Sequence, residues 1–176
     1  MGNMTQIINI ITAISVLLFI YAAWSDFRSW KIPNGAILAL LALYCLRAAA
    51  GLLLTDDVGA ALFSSIGIGG DVGAGLLLFV LGVGLWAFGL FGAGDAKLFL
   101  PIGLFIGWHG MLPFAIFLLI GGVLALLALR LPMPLQLAHM SIIMRIEEIR
   151  ATRKVPYGVI MVIAALAVLA LRNGKA

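Results

Sequence analysis

The chain is a succession of long apolar runs separated by short polar segments. A helix needs about 20 apolar residues to cross a hydrocarbon core of roughly 30 Å. Only a helix can satisfy its backbone polar groups within one segment in lipid. The pattern therefore predicts an all-α polytopic membrane helix bundle of about six transmembrane helices, at residues 7–24, 36–54, 72–91, 96–109, 111–129 and 155–171.

Composition supports the same class of protein. Of the 176 residues, 64% are hydrophobic and 10% are charged, whereas a soluble domain has about 25% charged residues. The net charge of +4 indicates topology signals and contacts with anionic lipid rather than nucleic-acid binding, because the basic residues lie beside apolar runs. Cys45 is the single cysteine, which excludes an internal disulfide and a multi-cysteine metal site.

One sizeable polar segment separates the fifth and sixth runs. Within it, residues 135–153 place isoleucines at helical spacing and charges elsewhere around the wheel, which predicts an amphipathic helix in the cytoplasmic interface. A docking surface for a substrate or an assembly partner is the alternative. The segment also carries much of the positive charge of the chain.

The basic residues fix a predicted orientation. With six spans, loops one, three and five hold eight of the eleven basic residues. The positive-inside rule places these loops in the cytoplasm and both termini outside it. Asp26 and Asp95 then lie at the same, cytoplasmic face of the membrane.

These two aspartates are the candidate chemistry. Each is an isolated acid at the end of an apolar run, and an acid beside lipid is a functional-site hypothesis by default. A close carboxylate pair shares one proton, so one member can activate water while the other protonates a scissile carbonyl. Paired acids also build ion and proton pathways, and Asp95 could instead be the N-cap of a helix after a short loop.

Other polar residues have simpler predicted roles. Asn34 and Asp71 are each placed to cap the helix that follows. Arg47 is expected to extend toward a headgroup region. No histidine or cysteine cluster at metal-ligand spacing occurs, so no metal and no cofactor is predicted.

Three ordered motifs resemble the prepilin peptidase family. Gly92-Ala93-Gly94-Asp95, followed by Lys97, resembles its GxGD signature. Ser25-Asp26, leading to Ile32-Pro33-Asn34, resembles its first-aspartate motif. Pro156-Tyr157-Gly158 at the head of the last run resembles a third element.

The resemblance implies a single transmembrane peptidase domain over residues 1–176. It implies an aspartic endopeptidase that removes the short basic leader of type IV pilin-like precursors, with Asp26 and Asp95 as the catalytic pair. Gly92 and Gly94 would leave room for the substrate strand. Lys97 would influence the pair or hold a phosphate headgroup, and Tyr157 would hydrogen bond near the site or anchor at the interface. Pro33, Asn34, Pro156 and Gly158 are the remaining motif residues.

The larger relatives carry a cysteine tetrad linked to N-methylation, which a chain with only Cys45 lacks. The resemblance is therefore to the small, peptidase-only form found with Flp/Tad pilus systems. It implies a multi-pass protein of the cytoplasmic membrane, with a prepilin-like precursor, lipid and pilus-assembly or secretion machinery as partners. An archaeal preflagellin peptidase is the nearest alternative, because it would share the same chemistry. A non-enzymatic component, such as a small transporter or a pilus-assembly scaffold, is the alternative from another class.

Overall fold

The fold of residues 2–130 and 156–173, which a computed structural model describes, consists of helices. They are α1 (Gly2–Ser29), α2 (Asn34–Leu52), the short α3 (Val58–Phe63), α4 (Ile68–Ala87), α5 (Ala93–Arg130) and α6 (Tyr157–Asn173). The predicted amphipathic segment 135–153 lies outside the described residues. The predicted all-helical class is confirmed.

Four stretches are long and apolar enough to cross a membrane: Gln6–Ser29, Asn34–Leu52, Val58–Ala87 and Ala93–Ala128. A shorter apolar helix covers Tyr157–Arg172. Many large apolar side chains on these helices are exposed, as expected for surfaces that contact lipid. The chain is therefore a multi-pass membrane protein, while the count of six spans stays a prediction.

Helix α5 doubles back on itself at Gly107. A continuous helix of 38 residues would be about 57 Å long, and its residues 99 and 114 would be roughly 22 Å apart. Instead the Phe99 and Phe114 rings are edge to face with centroids 6.3 Å apart. Gly107 has φ 68° and ψ 178°, a conformation that favours glycine. The first half of α5 therefore covers the predicted span 96–109 in outline, and the second half returns beside it along the predicted span 111–129.

Glycines allow α4 and the first half of α5 to pack backbone against backbone. A Cβ atom at Gly103 would lie 2.5 Å from the Cα of Gly75, and one at Gly82 would lie 2.6 Å from a ring carbon of Phe99. Membrane helices associate through such small residues because lipid supplies no hydrophobic drive between them. This packing fixes the position of Asp95, which opens α5, relative to the other helices.

The core joins α1, α2, α5 and α6. Phe105 packs edge to face against Phe19 and Tyr44, at centroid distances of 5.6 and 5.8 Å. Met161 and Ala165 of α6 are fully buried in the same cluster. The bundle consequently has two ends: one holds the end of α1 and the starts of α2, α5 and α6, and the other holds the end of α2, the start of α4 and Gly107.

Two predicted helix caps are wrong. The N-cap of α2 is Pro33, without a side-chain hydrogen bond, and Asn34 is already the first helical residue. The N-cap of α4 is Gly67, and Asp71 lies within the first turn. The Asp71 carboxylate instead accepts a hydrogen bond from the Tyr44 hydroxyl at 3.1 Å, because burial against α2 offers it a side-chain donor. Both polar side chains are thus used for contacts between helices.

Candidate active site

Asp26 lies in the last turn of α1, which continues past the apolar run to Ser29. Its side chain is 6% exposed, and Oδ2 accepts a hydrogen bond from the backbone N–H of Gly158 at 3.1 Å. The helix ends when Trp30 turns to φ 56° and donates its N–H to the Asp26 carbonyl at 2.9 Å. This is a single-bond left-handed C-cap, a position that usually holds glycine. The cap holds the backbone of Asp26, and the Gly158 N–H holds its carboxylate.

Asp95 lies in the first turn of α5, as the third helical residue. Its side chain is 9% exposed and accepts a hydrogen bond from the backbone N–H of Gly92 at 3.3 Å. A side chain at this position that reaches back to the residue before the helix is half of a capping box. Asp95 is therefore not the N-cap residue of α5. It contributes to capping from within the first turn, through the Gly92 N–H.

The two carboxyl groups lie at the same end of the bundle. The charge of Asp26 acts on Asp95, and the Gly158 backbone interacts with both side chains. Asp26 and Asp95 are 69 positions apart in the sequence, and the fold places both buried acids at one end of the bundle. Two buried acids that act on each other favour one negative charge over two, and the peptide N–H of Gly158 lies beside them.

Gly158 is in close contact with Asp26. A Cβ atom at position 158 would lie 2.8 Å from Oδ2 and 3.0 Å from Cγ of Asp26. Real Cβ atoms do not approach that closely, so a side chain here would displace the carboxyl or the start of α6. The third sequence motif is consequently part of the aspartate site, through backbone rather than side-chain chemistry.

Ile32 connects all three motifs. It is 8% exposed, and its side chain would lie 3.4 Å from a Cβ at Gly94 and 3.1 Å from a Cβ at Gly158. The expected open space at Gly94 is therefore partly occupied by Ile32 in this structure. An isoleucine in the short stretch between α1 and α2 is a weak signal for a packing role, and the partners of Ile32 could not be predicted from the sequence.

The remaining motif side chains form contacts around the two acids. Nζ of Lys97 donates a hydrogen bond to Oδ1 of Asn34 at 3.2 Å, which links the starts of α5 and α2. The ring centroids of Tyr157 and Phe91 are 4.7 Å apart. Phe91 has no role that the sequence predicts, because an aromatic residue beside an apolar run has no distinguishing signal.

The two prolines precede helices. Pro33 is extended, with φ −63° and ψ 131°, and Pro156 comes directly before α6. Among residues 2–130 and 156–173, no group of three or more His, Cys, Asp or Glu side chains could hold a metal ion. Metal-independent chemistry stays a prediction.

A comparison with protein families gives one match. The model of the type IV leader peptidase family matches residues 13–129, about two thirds of the chain. The matched range contains both Asp26 and Asp95, and it ends before Gly158. No curated protein and no solved structure matches the chain significantly.

Proposed function

The chain belongs to the type IV leader peptidase family, and we propose that it is an aspartic endopeptidase in which Asp26 and Asp95 are the catalytic pair. The observation that carries the proposal is their common position: both are buried at one end of the bundle, and both interact with Gly158. Leader peptidases of this family act on prepilins, so the substrate is a prepilin-like membrane precursor.

The proposed reaction needs only the two carboxyl groups and water. The ionised aspartate takes a proton from water, which attacks the scissile carbonyl carbon. The protonated aspartate gives its proton to the carbonyl oxygen, which forms a gem-diol intermediate. The aspartate that took a proton from water then gives it to the leaving nitrogen as the C–N bond breaks, and its partner takes back a proton from a gem-diol hydroxyl, so the pair again holds one proton. Burial of both acids supports this chemistry, since two charges in a low-dielectric site are costly and a shared proton avoids that cost.

The proposed substrate is a Flp/Tad-type precursor with a short basic leader. This step rests on the sequence resemblance to the small, peptidase-only forms. The single cysteine also supports a peptidase without methyltransferase activity. The mass of the processed product tests this point: an added methyl group on the new N-terminus would exclude the peptidase-only proposal.

The proposed site of cleavage is the cytoplasmic face of the membrane. The positions of the basic residues support it, and Lys31 is exposed at the same end of the bundle as the acids. Single cysteines at Lys31 and Asp56, in a Cys45→Ser background, are expected to react from the cytoplasm and from outside, respectively. Labelling of both from one side would refute the orientation.

The decisive experiment is co-expression with a candidate precursor. Asp26→Asn and Asp95→Asn keep the shape of the side chain but cannot relay a proton, so each is expected to abolish leader removal. The double variant should be no worse than either single one, because the residues act as a unit. Processing is measured by mass and normalised to membrane-inserted enzyme.

Asp57→Asn is the matched control. Asp57 caps α3 by accepting the Ala60 N–H at 2.9 Å, and asparagine caps a helix as well as aspartate. Its processing should equal that of the wild type. Substantial processing by either Asp26→Asn or Asp95→Asn, with normal insertion, would remove the aspartic mechanism and leave a non-enzymatic role as the alternative.

A further inference from the structure

The second polar cluster of the bundle lies at the end remote from the two acids. Asp71 lies in the first turn of α4, whereas Asp95 follows the end of that helix, and a helix of 20 residues is about 30 Å long. Tyr44 and Arg47 of α2, Asp71 of α4 and Arg172 of α6 interact there with one another. The proposed peptidase reaction uses none of these residues.

The cluster has an excess of positive charge. Asp71 interacts with both Arg47 and Arg172, and the two arginines also act on each other. The Tyr44 hydroxyl already occupies Oδ2 of Asp71. One carboxylate therefore faces two guanidinium groups, and the donors of an arginine fork exceed the acceptors that the cluster supplies.

Two cavities open beside this cluster, and Asp71 and Arg172 line both. One has a volume of about 240 Å³ and also contacts Tyr44 and Arg47. The other has a volume of about 350 Å³ and passes along Gly107 and Trp108. The rest of the walls is largely apolar, with isoleucine, leucine, valine and alanine side chains. The cavities thus combine positive charge with apolar walls, near the start of α4 and the end of α6.

Gly107 keeps this space open next to the charges. A Cβ atom at Gly107 would lie 2.5 Å from Oδ1 of Asp71 and 3.9 Å from Nη1 of Arg172. The backbone of α5 reverses at this residue with a positive φ, so the turn and the cluster are built together. The two charged side chains consequently face the cavities at a fixed place in the fold.

We propose that this cluster, with Arg47 and Arg172 as the anion-binding residues, binds the phosphate of an anionic phospholipid in the leaflet opposite the two acids. Guanidinium groups bind phosphate through paired, charge-assisted hydrogen bonds. The apolar walls fit acyl chains, which a soluble phosphate ion lacks. The guanidinium of Arg47 also lies over the Phe105 ring, with Cζ 5.8 Å from the ring centroid, and this cation–π contact holds the charge beside the core cluster.

Native mass spectrometry of the full chain in detergent tests the proposal. Wild-type protein, delipidated and then supplied with phosphatidylglycerol or phosphatidylcholine, is expected to retain phosphatidylglycerol preferentially. Arg47→Gln/Arg172→Gln should lower its affinity for phosphatidylglycerol roughly tenfold, as expected on loss of a charge-assisted bidentate contact. Arg130→Gln removes an arginine at the end of α5 and should leave the affinity unchanged. Equal retention of both lipids, or an equal loss with Arg130→Gln, would overturn the proposal.

Thermal unfolding of the wild type separates the sources of phosphate without any variant. Short-chain phosphatidylglycerol should raise the melting temperature, and inorganic phosphate at the same concentration should not. Stabilisation by inorganic phosphate alone would assign the site to a soluble anion and overturn the lipid proposal. Asp71→Asn raises the positive charge, so it should bind phosphatidylglycerol at least as well as the wild type. A loss of lipid binding in Asp71→Asn would instead show a purely structural cluster.

Arg172→Lys keeps the charge without the planar fork and covers the case in which the double variant does not insert. Its affinity for phosphatidylglycerol should fall between those of the wild type and the double variant. Leader removal should be unaffected by all of these substitutions. A failure of the lipid experiment therefore leaves the proposed protease untouched, and the reverse also holds.

Discussion

The backbone N–H of Gly158 lies 3.1 Å from Oδ2 of Asp26, although the two residues are 132 positions apart. The start of α6 thereby contacts the last turn of α1 through a main-chain donor. The contact requires a residue without a Cβ atom, since one would lie 2.8 Å from the same oxygen. The glycine of the third motif, Pro156-Tyr157-Gly158, is consequently explained by the hydrogen bond from its N–H to the Asp26 carboxylate.

Gly158→Ala should therefore strongly impair leader removal. The methyl group would displace the Asp26 carboxyl or the start of α6, and misplacement by about 1 Å can cost a reaction roughly a hundredfold. The measurement is precursor processing normalised to membrane-inserted enzyme. Gly35→Ala is the control, because no atom lies within 4 Å of a Cβ at Gly35. Equal processing by the two variants would show that the Gly158 contact does not matter for catalysis.

The Lys97–Asn34 hydrogen bond should act on catalysis only indirectly. Both side chains are exposed, so Lys97→Met and Asn34→Ala should each lower processing by roughly two- to fivefold, much less than loss of an aspartate. The double variant should resemble the single ones, because either substitution breaks the same contact. Multiplied losses in the double variant would mean that the two residues act independently.

Chelators should not affect cleavage. The described residues contain no cluster of metal-ligating side chains, and the proposed mechanism generates its nucleophile with a carboxylate rather than a metal-bound water. Processing of a precursor by purified enzyme is compared with and without EDTA. Loss of activity in EDTA, restored by zinc, would contradict the aspartic mechanism.

Packing of α4 against α5 should depend on Gly103. Gly103→Ala places a methyl group 2.5 Å from the Cα of Gly75, where only backbone could move. Overpacking of this kind typically costs about 1–3 kcal/mol, so the melting temperature in detergent should fall. Gly84→Ala lies on α4 in open space and should be neutral or stabilising by up to about 1 kcal/mol. A melting temperature of Gly103→Ala equal to that of Gly84→Ala would contradict the close packing.

The sequence by itself determined the class of fold and indicated the candidate residues of the site. Apolar runs near the length of a bilayer core determine helices, because lipid leaves the backbone no other way to satisfy its polar groups. The isolation of Asp26 and Asp95 in a chain with few charges indicated the site, since an acid beside lipid is too costly to occur without a role. The sequence also predicted a boundary between two spans at residues 109–111, and α5 reverses at Gly107.

Tertiary structure alone decided the partners of these side chains. Asn34 and Asp71 are residue types that often cap helices. The local sequence cannot show that Lys97 lies within hydrogen-bonding distance of Asn34, or Tyr44 within that distance of Asp71. The same holds for Gly158, whose backbone reaches Asp26 across the bundle, and for Ile32, which packs against both glycine motifs. Local propensities are weak, a few tenths to about 1 kcal/mol per residue, and contacts between helices override them.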